Sequence, residues 1–90
     1  MPLTPRRTGQ FKRDYKLMKR RGKDIEKLRG ILKKLANQET LDAKHRDHPL
    51  AGNYVGRREC HVEPDWLLIY KLETGAIIFE RTGTHTDLFG

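Results

Sequence analysis

Ninety residues with 36% hydrophobic and 34% charged side chains and a formal net charge of +7 predict one soluble domain over residues 1–90, too small to divide into two cores and too rich in apolar clusters for a disordered chain. No apolar run approaches the roughly 20 residues that span a bilayer, and the polar start Met1-Pro2-Leu3-Thr4 lacks a secretory h-region, so the expected compartment is the cytoplasm. The single cysteine, Cys60, excludes an internal disulfide and reads as a small strand residue.

Residues 3–8 read as a short first strand, which Pro2 and Pro5 confine to an edge or a strand start. Phe11, Tyr15 and Met18 then recur at helical spacing, and Gly22 ends that helix. Asp24 suits the N-cap or first turn of a second helix with the stripe Ile25, Leu28, Ile31, Leu32 and Leu35, closing near Asn37. Residues 39–53 carry few apolar side chains and predict an ordered loop, long enough in so small a domain to be functional. Strands are predicted over residues 54–62, 66–72 and 76–82, joined by hairpin turns at Pro64-Asp65 and Glu73-Thr74-Gly75. Helices first and strands after predict an α+β fold, an N-terminal helical hairpin packed on a mostly antiparallel sheet.

Charge is distributed unevenly. Residues 1–34 hold thirteen Lys or Arg against three acids, whereas residues 35–90 hold six against nine. So dense a basic segment fits a polyanion through counterion release, and Lys16, Lys19, Lys33 and Lys34 are helix cations expected to meet it. An acidic protein partner would favour the same surface, and a merely solvated helix face reads alike.

Three histidines lie in the non-basic half beside residues that fix the chain. His48 precedes Pro49, His61 opens His61-Val62-Glu63-Pro64-Asp65-Trp66, and His85 closes Arg81-Thr82-Gly83-Thr84-His85. Imidazoles gathered at strand ends and turns can move protons near neutral pH, which makes His48, His61 and His85 with Asp65 a candidate acid/base site. Asp65 can reach His61 across the turn between them, or simply cap that turn. His85 projects from the sheet's end or lies in an exposed tail. Arg57, Arg58 and Arg81 suit either a bidentate phosphate clamp or cross-strand pairs with Glu59, Glu63 and Glu80. His45, His48, His61 and His85 offer nitrogen ligands, but only one cysteine accompanies them, so neither a metal nor a cofactor is predicted. No Gly-rich phosphate loop and no Ser/His/Asp motif is present. What remains suits metal-free RNA cleavage: a base deprotonates the ribose 2′-hydroxyl, a cation stabilises the pentavalent phosphate and an acid protonates the leaving 5′-oxygen. Phe89 is an aromatic that could stack on a splayed base.

Asp47-His48-Pro49-Leu50-Ala51-Gly52, His61-Val62-Glu63-Pro64-Asp65-Trp66-Leu67-Leu68-Ile69-Tyr70-Lys71-Leu72 and Phe79-Glu80-Arg81-Thr82-Gly83-Thr84-His85 with Leu88-Phe89 resemble the YafQ branch of the RelE/ParE toxin superfamily. The resemblance runs over essentially the whole chain. It implies the RelE-like microbial ribonuclease fold and the toxin of a type II toxin–antitoxin pair, a ribosome-dependent endoribonuclease that enters the A site and cuts translated mRNA. The family's functional positions fall on His48, His61, Asp65, His85 and Phe89. His85 is the one most strongly tied to cleavage, as general acid, while His48, His61 and Asp65 share base, relay and transition-state roles. Trp66 would pack beneath the site, and Arg81 and Arg58 would be RNA-binding cations. The implied partners are the 70S ribosome and its RNA, docked by the basic helices, the mRNA substrate and a DinJ-like antitoxin. The antitoxin's acidic arm would wrap the helices, and its DNA-binding half would carry the complex to operator DNA. The competing readings are a non-enzymatic or gyrase-directed ParE-like toxin and an RNA-binding module without chemistry. The three histidines favour the ribonuclease.

Overall fold

The computed structural model describes all ninety residues. In chain order come β1 (Thr4–Arg7), α1 (Gly9–Arg20), α2 (Ile25–Ala36), β2 (His48–Pro49), β3 (Arg58–Glu63), β4 (Trp66–Glu73), β5 (Ala76–Gly83) and α3 (His85–Phe89), with 3-10 turns at Ala43–His45 and Gly52–Tyr54. Each long helix starts on a side-chain cap: Thr8 Oγ1 accepts the N–H of Phe11 at 3.0 Å, and Asp24 Oδ1 that of Glu26 at 3.1 Å. Gly22, at φ +81°, turns the chain between them at the left-handed position where a side chain would be strained.

The five strands are ordered β1-β5-β4-β3-β2; β1 runs parallel to β5 and every other pair is antiparallel. Both helices cover one face, where Phe11, Met18, Leu28, Ile31 and Leu35 pack on Cys60, Trp66, Leu68, Tyr70, Ile77 and Phe79. Each such large apolar side chain contributes about 1.5–3 kcal/mol on leaving water. The predicted α+β fold, with its helical hairpin on a mostly antiparallel sheet, is the one observed. No helix is long and apolar enough to cross a membrane.

The second face is built by segments that lack a strong sequence pattern. Leu67 and Ile69 of β4 are fully buried there under Leu88, with Leu50 and Tyr54 beside them. Residues 66–70 are therefore buried on both sides, and that burial explains an apolar run without alternation. The segment expected as a loop, residues 39–53, contains the two-residue strand β2. The strand expected from residue 54 begins only at Arg58, because Tyr54 closes a 3-10 turn and packs on this second face. The polar tail after β5 is the helix α3, started by a capping box in which Thr84 and Asp87 each accept the other's backbone N–H.

Two irregularities decide which side chains reach this second face. Ile69 pairs with Arg81 but Tyr70 with Phe79, so Glu80 is an extra residue in β5. Beyond it the alternation is reset, and Arg81 falls opposite Ile69 on the face away from the helices. A second register break lies between His61 and Glu63 at the end of β3.

Candidate active site

In β3, Cys60 and Val62 point into the helix-covered core, so Glu59 and His61 point to the other face. Pairing of β2 with β3 sets His48 directly across from Glu59. Glu59 Oε1 lies 3.3 Å from His48 Nε2 and 3.5 Å from His61 Nε2, and its side chain is only 8% exposed. Both imidazoles turn their other nitrogen to a main-chain carbonyl, His48 Nδ1 to Pro49 at 3.0 Å and His61 Nδ1 to Pro64 at 3.2 Å. Carbonyls only accept, so each Nδ1 carries a proton and each Nε2 faces the shared carboxylate. The result is two imidazoles of fixed tautomer around one buried acid, a group able to hold or give up a proton.

His85 enters from α3, its ring centroid 5.8 Å from that of His61. Asp65 Oδ1 accepts both its backbone N–H, at 3.0 Å, and its Nδ1–H, at 2.5 Å. These bonds, the backbone one foremost, hold the Asp65 carboxyl below the usual carboxylate range. With Nδ1 occupied, Nε2 is the His85 nitrogen left for chemistry. The helix carrying it is anchored from α1: Arg21 Nη1 and Nη2 bond the two Asp87 carboxylate oxygens at 2.7 and 3.1 Å. That fork, followed by the Thr84 backbone N–H, pulls the Asp87 pKa down to about 2. Gly83 is required behind it, since a Cβ there would stand 2.9 Å from Asp87 Cβ.

A family model described as "Bacterial toxin of type II toxin-antitoxin system, YafQ" matches residues 3–90. The chain belongs to the YafQ toxin family. It is 50% identical over 84 residues to the mRNA interferase toxin YafQ of Escherichia coli K12, covering 92% of this chain and 91% of that protein. The crystal structure of YafQ from Escherichia coli BL21(DE3) superposes with a TM-score of 0.93 at 46% identity, covering 98% and 99% of the two chains. YafQ in the Escherichia coli DinJ–YafQ complex gives 0.91 at 46% identity over the full length of both.

Within this YafQ-family chain the structure gathers His48, His61 and His85 with Asp65, but pairs them differently from the sequence expectation. Asp65 does not reach across its turn to His61; it binds His85, because the start of α3 lies over that turn. His61 takes Glu59 instead. Sequence reasoning gave Glu59 only a cross-strand pairing role, and the signal available was its period-two spacing from His61 within one strand. His48, Glu59 and His61 also offer three donor atoms within 4.8 Å of one another, although no metal was predicted. Two imidazoles and a carboxylate are a donor set that zinc or copper accepts.

The arginines divide. Arg58 lies on the helix-covered side with Asp47, 3.3 Å from its Nε, and Tyr70, also at 3.3 Å, so it does not join the imidazoles. Tyr70 donates to Asp47 at 2.6 Å; burial first, then this bond, push its phenol up. Arg57 binds one of the expected glutamates, Glu80 at 2.7 Å, but from just ahead of β3 and across the intervening β4, not as a neighbour on an adjacent strand. Arg81 binds none of the expected glutamates. It reaches the buried Asp14 of α1, Nε to Oδ2 at 2.7 Å, an anchor absent from the sequence reading. Phe89 is half exposed and meets Tyr54 edge to face, centroids 5.6 Å apart, while Trp66 is buried and donates to Thr82 Oγ1 at 2.9 Å. Cys60 is buried, and burial raises its thiol, so it is no nucleophile.

Proposed function

We propose that this chain is the mRNA interferase toxin of a type II toxin–antitoxin pair, an endoribonuclease of the bacterial cytoplasm that cuts translated mRNA in the ribosomal A site by general acid/base catalysis. The observation that carries the reading is the convergence of His48, His61 and His85, each imidazole with one nitrogen committed and the other free for proton transfer or shared with Glu59. His85 Nε2 is the general acid that protonates the leaving 5′-oxygen. Asp65 holds its ring and stabilises the positive charge before transfer. His61 and His48, linked through Glu59, take the 2′-hydroxyl proton. Arg81, on the same sheet face, supplies the cation for the phosphorane, and Phe89 with Tyr54 gives an aromatic surface for a splayed base.

Lys16, Lys19, Lys33 and Lys34 are exposed and form no ion pairs; they dock the toxin on ribosomal RNA. Relatives in complex with DinJ support a DinJ-like antitoxin as the neutralising partner, and in this reading the antitoxin's DNA-binding half carries the complex to operator DNA. The test is primer extension on an mRNA in a reconstituted translation reaction, with and without ribosomes, comparing wild type with His85→Ala. In-frame cuts that need both ribosomes and His85 support the reading. No cuts by the folded wild type would move it to a gyrase-directed or purely binding toxin.

A further inference from the structure

His61 sits where the outer edge of β3 has lost its neighbouring strand. β2 pairs only at His48–Glu59 and Pro49–Arg58, and the ladder continues past Pro49 with Leu50 N–H donating to Arg57 at 2.8 Å. Continued in the other direction, this antiparallel register would bring Arg46 opposite His61 as a hydrogen-bonded pair, its N–H serving the His61 carbonyl. The chain turns away instead. Arg46 is left-handed, at φ 46° and ψ 50°, and its N–H is spent on Ala43 at 3.1 Å, closing the 3-10 turn. A side chain fills the gap: His45 Nδ1 lies 2.6 Å from the His61 carbonyl oxygen. Since that oxygen only accepts, Nδ1–H is the donor. On its other side His61 pairs with Leu67 of β4, and that register breaks just beyond it, between His61 and Glu63.

We infer that His45 is a positioning residue for the reaction proposed above: its ring N–H replaces the missing strand and fixes the main chain of His61, and with it the imidazole between Glu59 and His85. His45 touches no reacting atom in this scheme. It acts through His61, whose ring has to keep both the Pro64 carbonyl and the Glu59 carboxylate within reach.

Two variants separate the donor from the ring. His45→Phe keeps the bulk of a half-buried ring and removes only the N–H, whereas His45→Asn keeps an N–H able to reach the same carbonyl. The measurements are kcat and KM for ribosome-programmed cleavage, together with the ring resonances of His61 by NMR in the free, folded toxin. For His45→Phe we expect kcat to fall about tenfold with KM within about twofold, and the His61 ring signals to shift, as befits a reacting group slightly misplaced. His45→Asn should recover most of the rate and the wild-type ring signals. Unchanged kcat and ring signals in His45→Phe, a loss confined to KM, or a His45→Asn no better than His45→Phe would each overturn the inference. Absence of cleavage by wild type would instead remove the proposed reaction, and the His61 ring signals of the two variants would still decide whether His45 positions that ring.

Discussion

Arg21 at the end of α1 and Asp87 in α3, 66 residues apart, bind each other through a two-pronged fork of 2.7 and 3.1 Å, and this fork ties the helix bearing His85 to the opposite layer of the molecule. Asp87→Ala breaks the fork and the capping box together. Arg21 is 41% exposed, so solvent screening weakens the fork and the lost capping box is the main cost, roughly a 4–8 °C drop in Tm for a domain of this size. The pH dependence has a definite sign. Asp87 titrates near 2 when folded and at about 3.9 unfolded, so its contribution is complete above about pH 4 and fades as pH falls toward 2. Thermal unfolding of wild type and variant should therefore converge as pH falls from about 4 to about 2; a constant gap would refute the assignment.

His85→Ala should abolish cleavage, a loss of about 10²–10⁴ for a general acid, and leave Tm and antitoxin affinity unchanged because the side chain is half exposed. Asp65→Ala should lower kcat less, by about tenfold to a hundredfold, since the imidazole remains but is free to turn. Single-turnover cleavage on stalled ribosomes measures both. A His85→Ala protein that still arrests growth would end the proposed role.

The helices, the Asp24 cap and the three long strands were legible because each is written locally, in the stripe of Leu28, Ile31 and Leu35 or in Asp24 ahead of Ile25, whereas Thr8, read as the end of the first strand, is the cap of α1. The histidines were legible as a set, but their partners were not. Asp65 meets His85 only because α3 folds over a turn twenty residues earlier, and α3 itself is signalled by no more than the spacing of Thr84 and Asp87. Arg81 reaches the site face through a single extra residue, Glu80, that no residue pattern announces. β2 is too short for any periodicity, yet it is what brings His48 to Glu59.

Glu59→Gln tests the shared carboxylate. The amide fits the space but carries no charge and cannot pass a proton between the two imidazole Nε2 atoms, so kcat should drop about tenfold to a hundredfold. The same three donors give a second readout. Micromolar Zn²⁺ should inhibit wild type by occupying both Nε2 positions, and a zinc-selective chelator should restore the rate. Glu59→Gln and His48→Ala should each weaken that inhibition. Zinc that stimulates cleavage would contradict acid/base work by free imidazoles.

Lys16, Lys19, Lys33 and Lys34 lie on the helices that cover the sheet face opposite the imidazoles, so the proposed function predicts a part for them in docking and none in the chemistry. Replacing all four with Ala should raise KM for programmed ribosomes and leave kcat at saturation within about twofold. Each phosphate contact contributes close to one unit to the slope of log affinity against log salt, so the quadruple variant should bind with a slope shallower by about three to four. Lys71 is the control: it is already paired with Glu73 at 3.7 Å on β4, and Lys71→Ala should leave the slope as it is. Equal slopes for wild type and the quadruple variant would mean that these helices do not meet RNA, and the acidic arm of an antitoxin would then be the partner that their charge serves.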